Sequence, residues 1–400
     1  MDADTQSRGI RARRRTRAHR RDRSGSLSVF ISSGEASGDH YTARLAIRLR
    51  ERGYAGDIWG MGGMESRKAG IRSEWDGERL QLLGLTEVFS AIPSILALRR
   101  EMVERIMERA PEAVVVCDSP DYHMRLIAKL RARGYRGKIF YISPPTVWAW
   151  RSGRADDLRR DVDECLPLFK FEHEYLLSRG CASAWRGHPL LEEYNHRAKG
   201  AELGFDYEPG RLVAFLPGSR RSEIKTLLPI MEESAAALGA AGWRPVFSVA
   251  PGLNHAVRDE VIARFKEKNI LYYDGPGGDL MEAAECAVGA SGTITVEALL
   301  RRLYMVVTYR LNPISAFVAR CVIKTKYYAM ANILAGCELF PELLQEKATA
   351  GNLTDAALAW LEDRNGLRGR TREVMERARA TLGEEGVYDF WCARITGAPA

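Results

Sequence analysis

Short runs of apolar residues alternate with glycine-containing turns and helical patterns along most of the chain. Residues 27–32 predict a buried strand, residues 33–39 a Gly/Ser turn, and residues 41–52 an apolar helical stripe that Gly53 ends. Further short apolar runs predict strands of the same sheet, at residues 57–60, 114–117 and 137–143. Strand, turn and helix in this order are typical of Rossmann-like α/β domains.

The same rhythm restarts after a polar stretch. Residues 194–209 are polar, contain Gly200, Gly204 and Pro209, and predict a linker between two domains. Beyond the linker, apolar runs again predict strands, at residues 212–216, 245–249, 270–273 and 286–290. We therefore expect an α/β protein with two Rossmann-like domains facing a central cleft. The predicted parts are a disordered tail at 1–26, an N-terminal domain at 27–193, the linker, a C-terminal domain at 210–365, and a helical segment at 366–400.

Length and composition agree with two soluble globular domains. Four hundred residues, of which 46% are hydrophobic and 28% charged, exceed what one ordinary core supports. The net charge of +7 comes almost entirely from residues 1–23, which hold nine Arg and three Asp. The rest of the chain is therefore not expected to bind nucleic acid through a basic surface. The Arg-rich tail could bind polyanions or anionic lipid; we favour a disordered leader or a start codon assigned too early.

Cysteine usage indicates a reducing compartment. The seven Cys residues are scattered, without a C-x-x-C pair, and several lie in apolar runs. No apolar stretch is long enough to span a bilayer, and the N-terminus lacks the apolar segment of a signal peptide. We expect a cytoplasmic protein with buried thiols. No cluster has metal-ligand spacing, so we expect no bound metal. We expect no other cofactor.

A pair of carboxylates follows the strand at 114–117. Asp118 and Asp121 would lie at the carboxyl end of that strand, where open parallel sheets bind their ligands. Asp also favours turns and helix caps for local reasons, so a purely structural role is the alternative. The helix after this turn is predicted to begin near Met124.

Two other segments carry candidate binding groups. Residues 144–151 form a proline-rich loop with Trp148, Trp150 and Arg151, which can stack on a sugar or a base or fill core space. In the second domain, small and hydroxyl residues at 291–293 open a helix that also carries Glu297. That arrangement suits a phosphate group, although simple helix capping is the alternative.

Residues 82–100 combine an apolar helical face with Arg99 and Arg100. A helix of this kind can lie in a membrane interface. On spacing alone, an ordinary core-facing helix is the stronger interpretation.

Taken together, the motifs resemble those of lipid-A-disaccharide synthase, a glycosyltransferase family of the Gram-negative outer-membrane lipid pathway. The resemblance covers about residues 28–345 in order. Its motifs stand at residues 34–39, 62–64, 84–88, 118–121, 143–151, 187–190, 217–223, 290–298, 332–336 and 341–345. The chain departs from the family pattern at Lys170, Tyr122, His123, Tyr304 and Ala331.

The resemblance implies a glycosyltransferase-B fold and a metal-independent, inverting transfer. The donor would be UDP-2,3-diacylglucosamine and the acceptor 2,3-diacylglucosamine 1-phosphate, joined as a β(1→6) disaccharide 1-phosphate with release of UDP. By similarity, Asp118 stands where the proposed catalytic base stands, and Arg220 on a functionally important arginine. Substrate-binding residues are expected within the motifs, namely Gly34, Glu35, Ser37, Gly38, Asp39, Glu87, Asp121, Trp148, Trp150, Arg151, His188, Ser219, Ser291, Gly292, Thr293 and Glu297.

General chemistry agrees with this assignment, because an inverting transfer needs a base for the acceptor hydroxyl and positive charge beside the leaving diphosphate. Acyl-bearing substrates also favour peripheral association with the cytoplasmic face of the inner membrane. A homodimer is compatible with the sequence, which does not determine the oligomeric state. The alternatives are another UDP-sugar enzyme of this fold, such as a 2-epimerase or a peptidoglycan glycosyltransferase, or a non-catalytic nucleotide-sugar binding protein.

Overall fold

The computed structural model describes residues 28–77, 88–196, 203–251, 253, 255–311 and 325–398, with only the backbone described for 88–92. Within them, two six-stranded sheets form the framework of the molecule. All paired strands in both sheets run parallel, and helices connect most of them.

The first sheet has the strand order β3-β2-β1-β4-β5-β6. Its strands are β1 (Ser28–Ser33), β2 (Asp57–Gly62), β3 (Arg72–Asp76), β4 (Ala113–Cys117), β5 (Lys138–Ile142) and β6 (Glu164–Leu166). The helices of this part are α1 (Ala36–Glu51), α2 (Met64–Lys68), α3 (Val88–Arg109), α4 (Pro120–Ala132), α5 (Arg154–Asp161) and α6 (Lys170–Ser178). Helix α7 (Pro189–Asn195) follows them.

The second sheet has the order β12-β11-β10-β7-β8-β9. Its strands are β7 (Leu212–Leu216), β8 (Arg244–Val249), β9 (Tyr272–Asp274), β10 (Cys286–Ala290), β11 (Met305–Tyr309) and β12 (Glu342–Leu344). Its helices are α8 (Arg221–Ala240), α9 (His255–Glu267), α10 (Gly277–Ala283), α11 (Ile294–Leu300), α12 (Met330–Ala335), α13 (Ala350–Leu361) and α14 (Leu367–Ala380). Helix α15 (Val387–Thr396) ends the described chain.

Both sheets reverse their strand order at an equivalent place. The reversal lies between β1 and β4 in the first sheet and between β7 and β10 in the second. Loops leave these strand pairs in opposite directions, so a crevice opens at their carboxyl ends. The expected pair of Rossmann-like domains is confirmed.

The central strands are buried on both faces, as the apolar runs predict. Residues Val114, Val115 and Val116 of β4 are completely buried, and β10 is equally enclosed. Strands covered by helices on both faces need continuous apolar sequence rather than alternation. Every strand named from the sequence is present, within about two residues at its ends. The sequence prediction omits β3, β6, β11 and β12.

Two helices begin earlier than predicted. Helix α1 begins at Ala36, so Ser37, Gly38 and Asp39 lie in its first turn rather than in the preceding loop. Helix α4 begins at Pro120 rather than near Met124, because proline fits the first helical turn, where its missing N–H has no partner to lose. Asp121 is therefore a helical residue.

The last helix, α15, packs against helix α1 of the first domain. Trp391 of α15 packs edge-on against Tyr41 of α1, with ring centroids 6.5 Å apart. Arg52 donates to the Asp389 carboxylate at 3.0 Å beside this contact. The N-terminal layer is therefore completed by residues from the far end of the chain.

Across the described ranges, no helix combines the length and apolar character needed to cross a bilayer.

Candidate active site

The turn after β4 holds the Asp118 carboxylate in a fixed place. Asp118 and Ser119 both have left-handed backbone angles, with φ of 55° and 44°. The backbone amides of Gly34 and Glu35 donate to the carboxylate at 3.1 and 3.2 Å. These amides lie directly after β1, so the two strands on either side of the switch point build one site.

This environment changes the acidity of the carboxyl group. Burial first, and the negative charge of Glu35 second, raise the pKa of Asp118 to about 8, while the amides of Gly34 and Glu35 act in the opposite direction. A carboxylate with a pKa near neutrality is well matched to general-base catalysis. Asp118 can therefore accept a proton from a bound hydroxyl.

Gly38 makes room for this carboxylate. A Cβ atom at Gly38 would overlap the Oδ2 atom of Asp118. The glycine thus serves close packing between α1 and the turn rather than an unusual backbone angle.

Gly38→Ala should therefore lower the rate of the transfer that the resemblance implies by roughly a hundredfold, because ångström-scale displacement of a reacting group has effects of that order. Affinity for UDP, the leaving nucleotide that the resemblance implies, should change little, since Gly38 lies in the first domain and Arg220 in the second. Initial rates and UDP titration would measure both quantities. Gly351→Ala is the matched control, because it also lies in the first turn of a helix and its Cβ would meet open space. Unchanged rates in Gly38→Ala would mean that the carboxylate position is not critical.

The second sheet contributes an arginine from the turn after β7. The Glu223 carboxylate accepts from the backbone amides of Ser219 and Arg220, at 3.2 and 3.3 Å, and so fixes this turn at the start of α8. Gly218 has φ of 107°, which favours glycine, and a Cβ there would collide with Glu223. The Tyr309 hydroxyl also donates to Glu223 at 3.4 Å.

Arg220 reaches across the cleft. Its Nη2 donates to the Glu35 carboxylate at 3.0 Å, joining the two domains beside Asp118. Both side chains are substantially exposed, so a ligand can replace this contact. The cleft therefore has a proton acceptor on one wall and a permanent positive charge on the other.

The turn after β10 lies at the same sheet edge as Arg220. Gly292 and Thr293 are exposed, and Ser291 is half-buried. Thr293 occupies the N-cap position of α11, but its side chain makes no capping hydrogen bond to any described residue. Glu297 is 25% exposed and pairs with Arg301 at 3.4 Å. The capping alternative for Thr293 is thus not observed, and its exposed hydroxyl is available to a ligand.

The proline-rich loop at residues 144–151, called the aromatic loop from here on, makes fixed contacts through both of its tryptophans. Trp148 Nε1 donates to the buried Glu172 carboxylate at 3.0 Å, and its ring meets Phe171 edge-on. Trp150 carries the guanidinium group of Arg151 on its face at 4.4 Å. Both rings are half-buried. The loop therefore combines core packing with an exposed basic rim.

Asp121 belongs to that rim rather than to the Asp118 pocket. Its carboxylate is 62% exposed and accepts from Arg151 at 2.9 Å and from Arg154. These two arginines also lower the pKa of Asp121, against the opposing effect of burial. Asp121 is thus a charged anchor for the aromatic loop and a weaker candidate base.

Two expected binding residues have buried, structural positions. The Asp39 carboxylate accepts from the amides of Gly63 and Glu65 at 2.6 and 3.0 Å, and so caps α2. His188 is 1% exposed, and its Nδ1 accepts from the Leu190 amide at 3.2 Å as the cap of α7. Both side chains therefore position helices, and their contact with substrate stays a prediction. Glu87 lies outside the described residues.

Three residues that sequence reasoning did not assign to the site support it, although His123 is among the departures from the family pattern named above. Glu172 orients Trp148, while Tyr141 and His123 both donate toward the Asp118 main-chain carbonyl. A tyrosine within the otherwise apolar run of β5, and a histidine in the first turn of a helix after a candidate base, were the available signals. Among the residues that the structure describes, no group of three or more His, Cys, Asp or Glu could hold a metal ion.

The paired switch points and the cleft between them, with Asp118 and Arg220 on opposite sides, define the class of proteins with the glycosyltransferase-B fold. A solved UDP-GlcNAc 2-epimerase from Neisseria meningitidis, bound to UDP-GlcNAc, has this fold. It is 11% identical, with a TM-score of 0.62 over 93% of this chain and all of that chain. UGT73P12 of Glycyrrhiza uralensis, complexed with glycyrrhetinic acid 3-O-monoglucuronide, is 12% identical with a TM-score of 0.61, over 93% and 96% of the two chains. These likenesses establish the fold.

The sequence comparisons are more specific. The family described as lipid-A-disaccharide synthetase matches residues 29–390, and the chain belongs to that family. The lipid-A-disaccharide synthase of Myxococcus xanthus is 34% identical over 90% of this chain and 94% of its own length. That of Azotobacter vinelandii is 35% identical over 84% and 90%. The chain is therefore a glycosyltransferase, and the epimerase and non-catalytic alternatives are not favoured.

Proposed function

We propose that the protein transfers 2,3-diacylglucosamine from UDP to 2,3-diacylglucosamine 1-phosphate. The acceptor 6-hydroxyl loses its proton to Asp118 while its oxygen attacks the anomeric carbon of the donor. The bond from that carbon to the UDP oxygen breaks, and UDP leaves with the electron pair. The product is the β(1→6) disaccharide 1-phosphate, with inversion at the anomeric carbon.

The observation that carries this proposal is the opposition of Asp118 and Arg220 across the cleft, bridged by Glu35. An enzyme of this kind needs a base on the acceptor side and positive charge on the diphosphate side. In our proposal Arg220, Ser219 and residues 291–293 receive the diphosphate, and Glu297 holds the ribose hydroxyls. Ser37 and the Trp148–Arg151 loop would contact the acceptor sugar.

The direct test is incubation with UDP-2,3-diacylglucosamine and the 1-phosphate acceptor, followed by mass analysis of the lipid. We expect one UDP and one disaccharide 1-phosphate for each donor consumed. Isomerised UDP-sugar formed without acceptor would indicate a 2-epimerase instead. Donor binding without any product would indicate a binding protein.

We further propose that the protein works in the cytoplasm, bound peripherally to the inner membrane through α3. Leu96 on this helix is 47% exposed, whereas Leu98 is 7% exposed and packs in the core. A single exposed leucine is common on protein surfaces. Leu96 supports membrane binding because it lies in the segment 82–100, whose apolar pattern suits a membrane interface. Residue 85 lies outside the described residues, as do the side chains of 88, 89 and 92.

The burial of Arg99 contradicts one part of the membrane interpretation. In the membrane interpretation of residues 82–100, both arginines would meet lipid headgroups, but Arg99 is only 6% exposed. It lies near Tyr122 and Arg125, and burial lowers its pKa. Arg100 is exposed and keeps the expected role.

Leu96→Ser should weaken binding to vesicles of anionic phospholipid and leave the melting temperature nearly unchanged, because it removes only exposed apolar surface. Leu98→Ser is the matched comparison, and it should lower stability by about 2–5 kcal/mol, as buried large-to-small changes do. Vesicle flotation at low and high salt, together with thermal melts, would measure both effects. Normal flotation of Leu96→Ser would exclude this part of α3 as the membrane contact.

A further inference from the structure

We propose that His123 is a positioning residue for catalysis, acting through the main-chain carbonyl of Asp118. The inference rests on the proposed function, in which Asp118 is the base. It adds a role for a buried group that does not touch the substrate.

His123 joins three elements at the base of the cleft. The side chain is fully buried in the first turn of α4. Its Nδ1 lies 2.8 Å from the Asp118 carbonyl oxygen, and its Nε2 lies 2.8 Å from the Ser32 hydroxyl on β1. The imidazole ring therefore spans the distance from β1 to the turn that carries the base.

The direction of these two hydrogen bonds follows from their chemistry. A carbonyl oxygen can only accept, so the proton of the neutral ring resides on Nδ1. Nε2 is then an acceptor, and the Ser32 hydroxyl donates to it. Burial lowers the pKa of His123 to about 4, so this neutral form persists throughout the physiological range. The chain of donors runs from Ser32 through His123 to Asp118.

The Asp118 carbonyl needs such support because its turn is unusual. Asp118 and Ser119 are consecutive non-glycine residues in the left-handed region, a conformation that persists only when its surroundings enforce it. The Tyr141 hydroxyl donates to the same carbonyl at 2.8 Å. With His123 and Tyr141 as donors, both lone pairs of that oxygen are used and the peptide plane is fixed. The direction of the Asp118 side chain follows from that plane.

Two substitutions separate the hydrogen bond from simple packing. Asparagine places an amide donor near the position of Nδ1, whereas glutamine places its amide near the position of Nε2. His123→Asn therefore retains the bond to Asp118, and His123→Gln retains only the bond to Ser32. A residue that merely filled space would respond to the change of volume in both variants.

We expect His123→Gln to lower kcat by about ten- to a hundredfold, within the range that a misplaced catalytic group produces. KM and the Kd for UDP should stay within about twofold of the parent values. His123→Asn should restore kcat to within a few-fold of the parent. Tyr141→Phe removes the second donor and should also lower kcat rather than raise KM. Equal losses in the Asn and Gln variants, in step with their melting temperatures, would overturn the proposal.

A double variant separates this inference from the proposed function. In the Asp118→Asn background, adding His123→Gln should have no further effect on turnover, because residues that act as a unit are strongly non-additive. Additive losses would show that His123 acts by a route other than Asp118, and would overturn the inference alone. High turnover by Asp118→Asn would instead overturn the assignment of the base.

Discussion

Asp118→Asn is expected to reduce transfer by about a hundred- to ten-thousandfold, the usual effect of removing a general base. Asparagine has nearly the same shape, and its single oxygen can still accept from one of the two amides, of Gly34 and Glu35, that donate to the two carboxylate oxygens. The fold should therefore be preserved at the cost of one hydrogen bond. What asparagine lacks is the ability to take a proton. Single-turnover rates with saturating donor would isolate this step from substrate binding.

Asp121→Asn is the control for this experiment, because it removes a nearby carboxylate on the same helix start. That variant loses its charge interaction with Arg151 and Arg154, so its KM for the acceptor should rise while its single-turnover rate falls far less than that of Asp118→Asn. Near-normal turnover by folded Asp118→Asn would exclude it as the base. Asp121 would then become the next candidate.

The raised pKa of Asp118 gives this prediction a pH dependence. In the free enzyme, kcat/KM should increase with pH up to about 8, where the carboxyl group becomes ionised. The same shift acts on stability, because the folded protein retains a proton that the unfolded carboxyl loses near pH 3.8. This contribution favours folding below that pH and is lost as the pH rises towards 8. The melting temperature of Asp118→Asn relative to the parent should therefore be highest near pH 8 and should fall towards pH 4.

Arg220→Ala is expected to lower transfer by about a hundred- to a thousandfold, as the loss of one group that stabilises developing charge does. UDP affinity should fall as well, because a permanent positive charge leaves the diphosphate side of the cleft. Glu35 would also lose its partner, and its uncompensated charge should raise the pKa of Asp118 further. The substitution thus removes positive charge on the donor side and makes Asp118 harder to ionise on the acceptor side.

Calorimetric titration with UDP, together with steady-state rates, would measure these effects. Arg221→Ala is the matched control, since that neighbouring side chain is 74% exposed and contacts only Glu260, at 3.7 Å, among the described charged groups. Glu297→Gln should reduce UDP affinity with less effect on the rate at saturation. Unchanged affinity in both Arg220→Ala and Glu297→Gln would place the donor pocket elsewhere.

The position of Asp118 could be predicted because it depends on local sequence. Three valines and a cysteine favour a short buried strand here, and the topology of parallel sheets places the next residue at the cleft. The same reasoning located Arg220 after β7 and residues 291–293 after β10. In each case the apolar run and the turn are neighbours in the chain.

The roles of Asp39 and His188 could not be predicted in the same way. A polar residue near a helix start can cap that helix, cap another one or contact a ligand, and the sequence pattern is identical in all three cases. Asp39 caps α2, whose amides lie 24 and 26 positions further along the chain. The contact between His123 and Ser32 spans 91 positions. Such pairings depend on how the sheet assembles, which local patterns do not encode.

The contact between α15 and α1 determines when the first domain can finish folding on the ribosome. Its six strands have all been synthesised by Leu166, but Trp391 emerges more than two hundred residues later. At ~5–20 residues per second, the nascent sheet waits on the order of ten to forty seconds with the surface around Tyr41 uncovered. The domain that is translated first is therefore completed last.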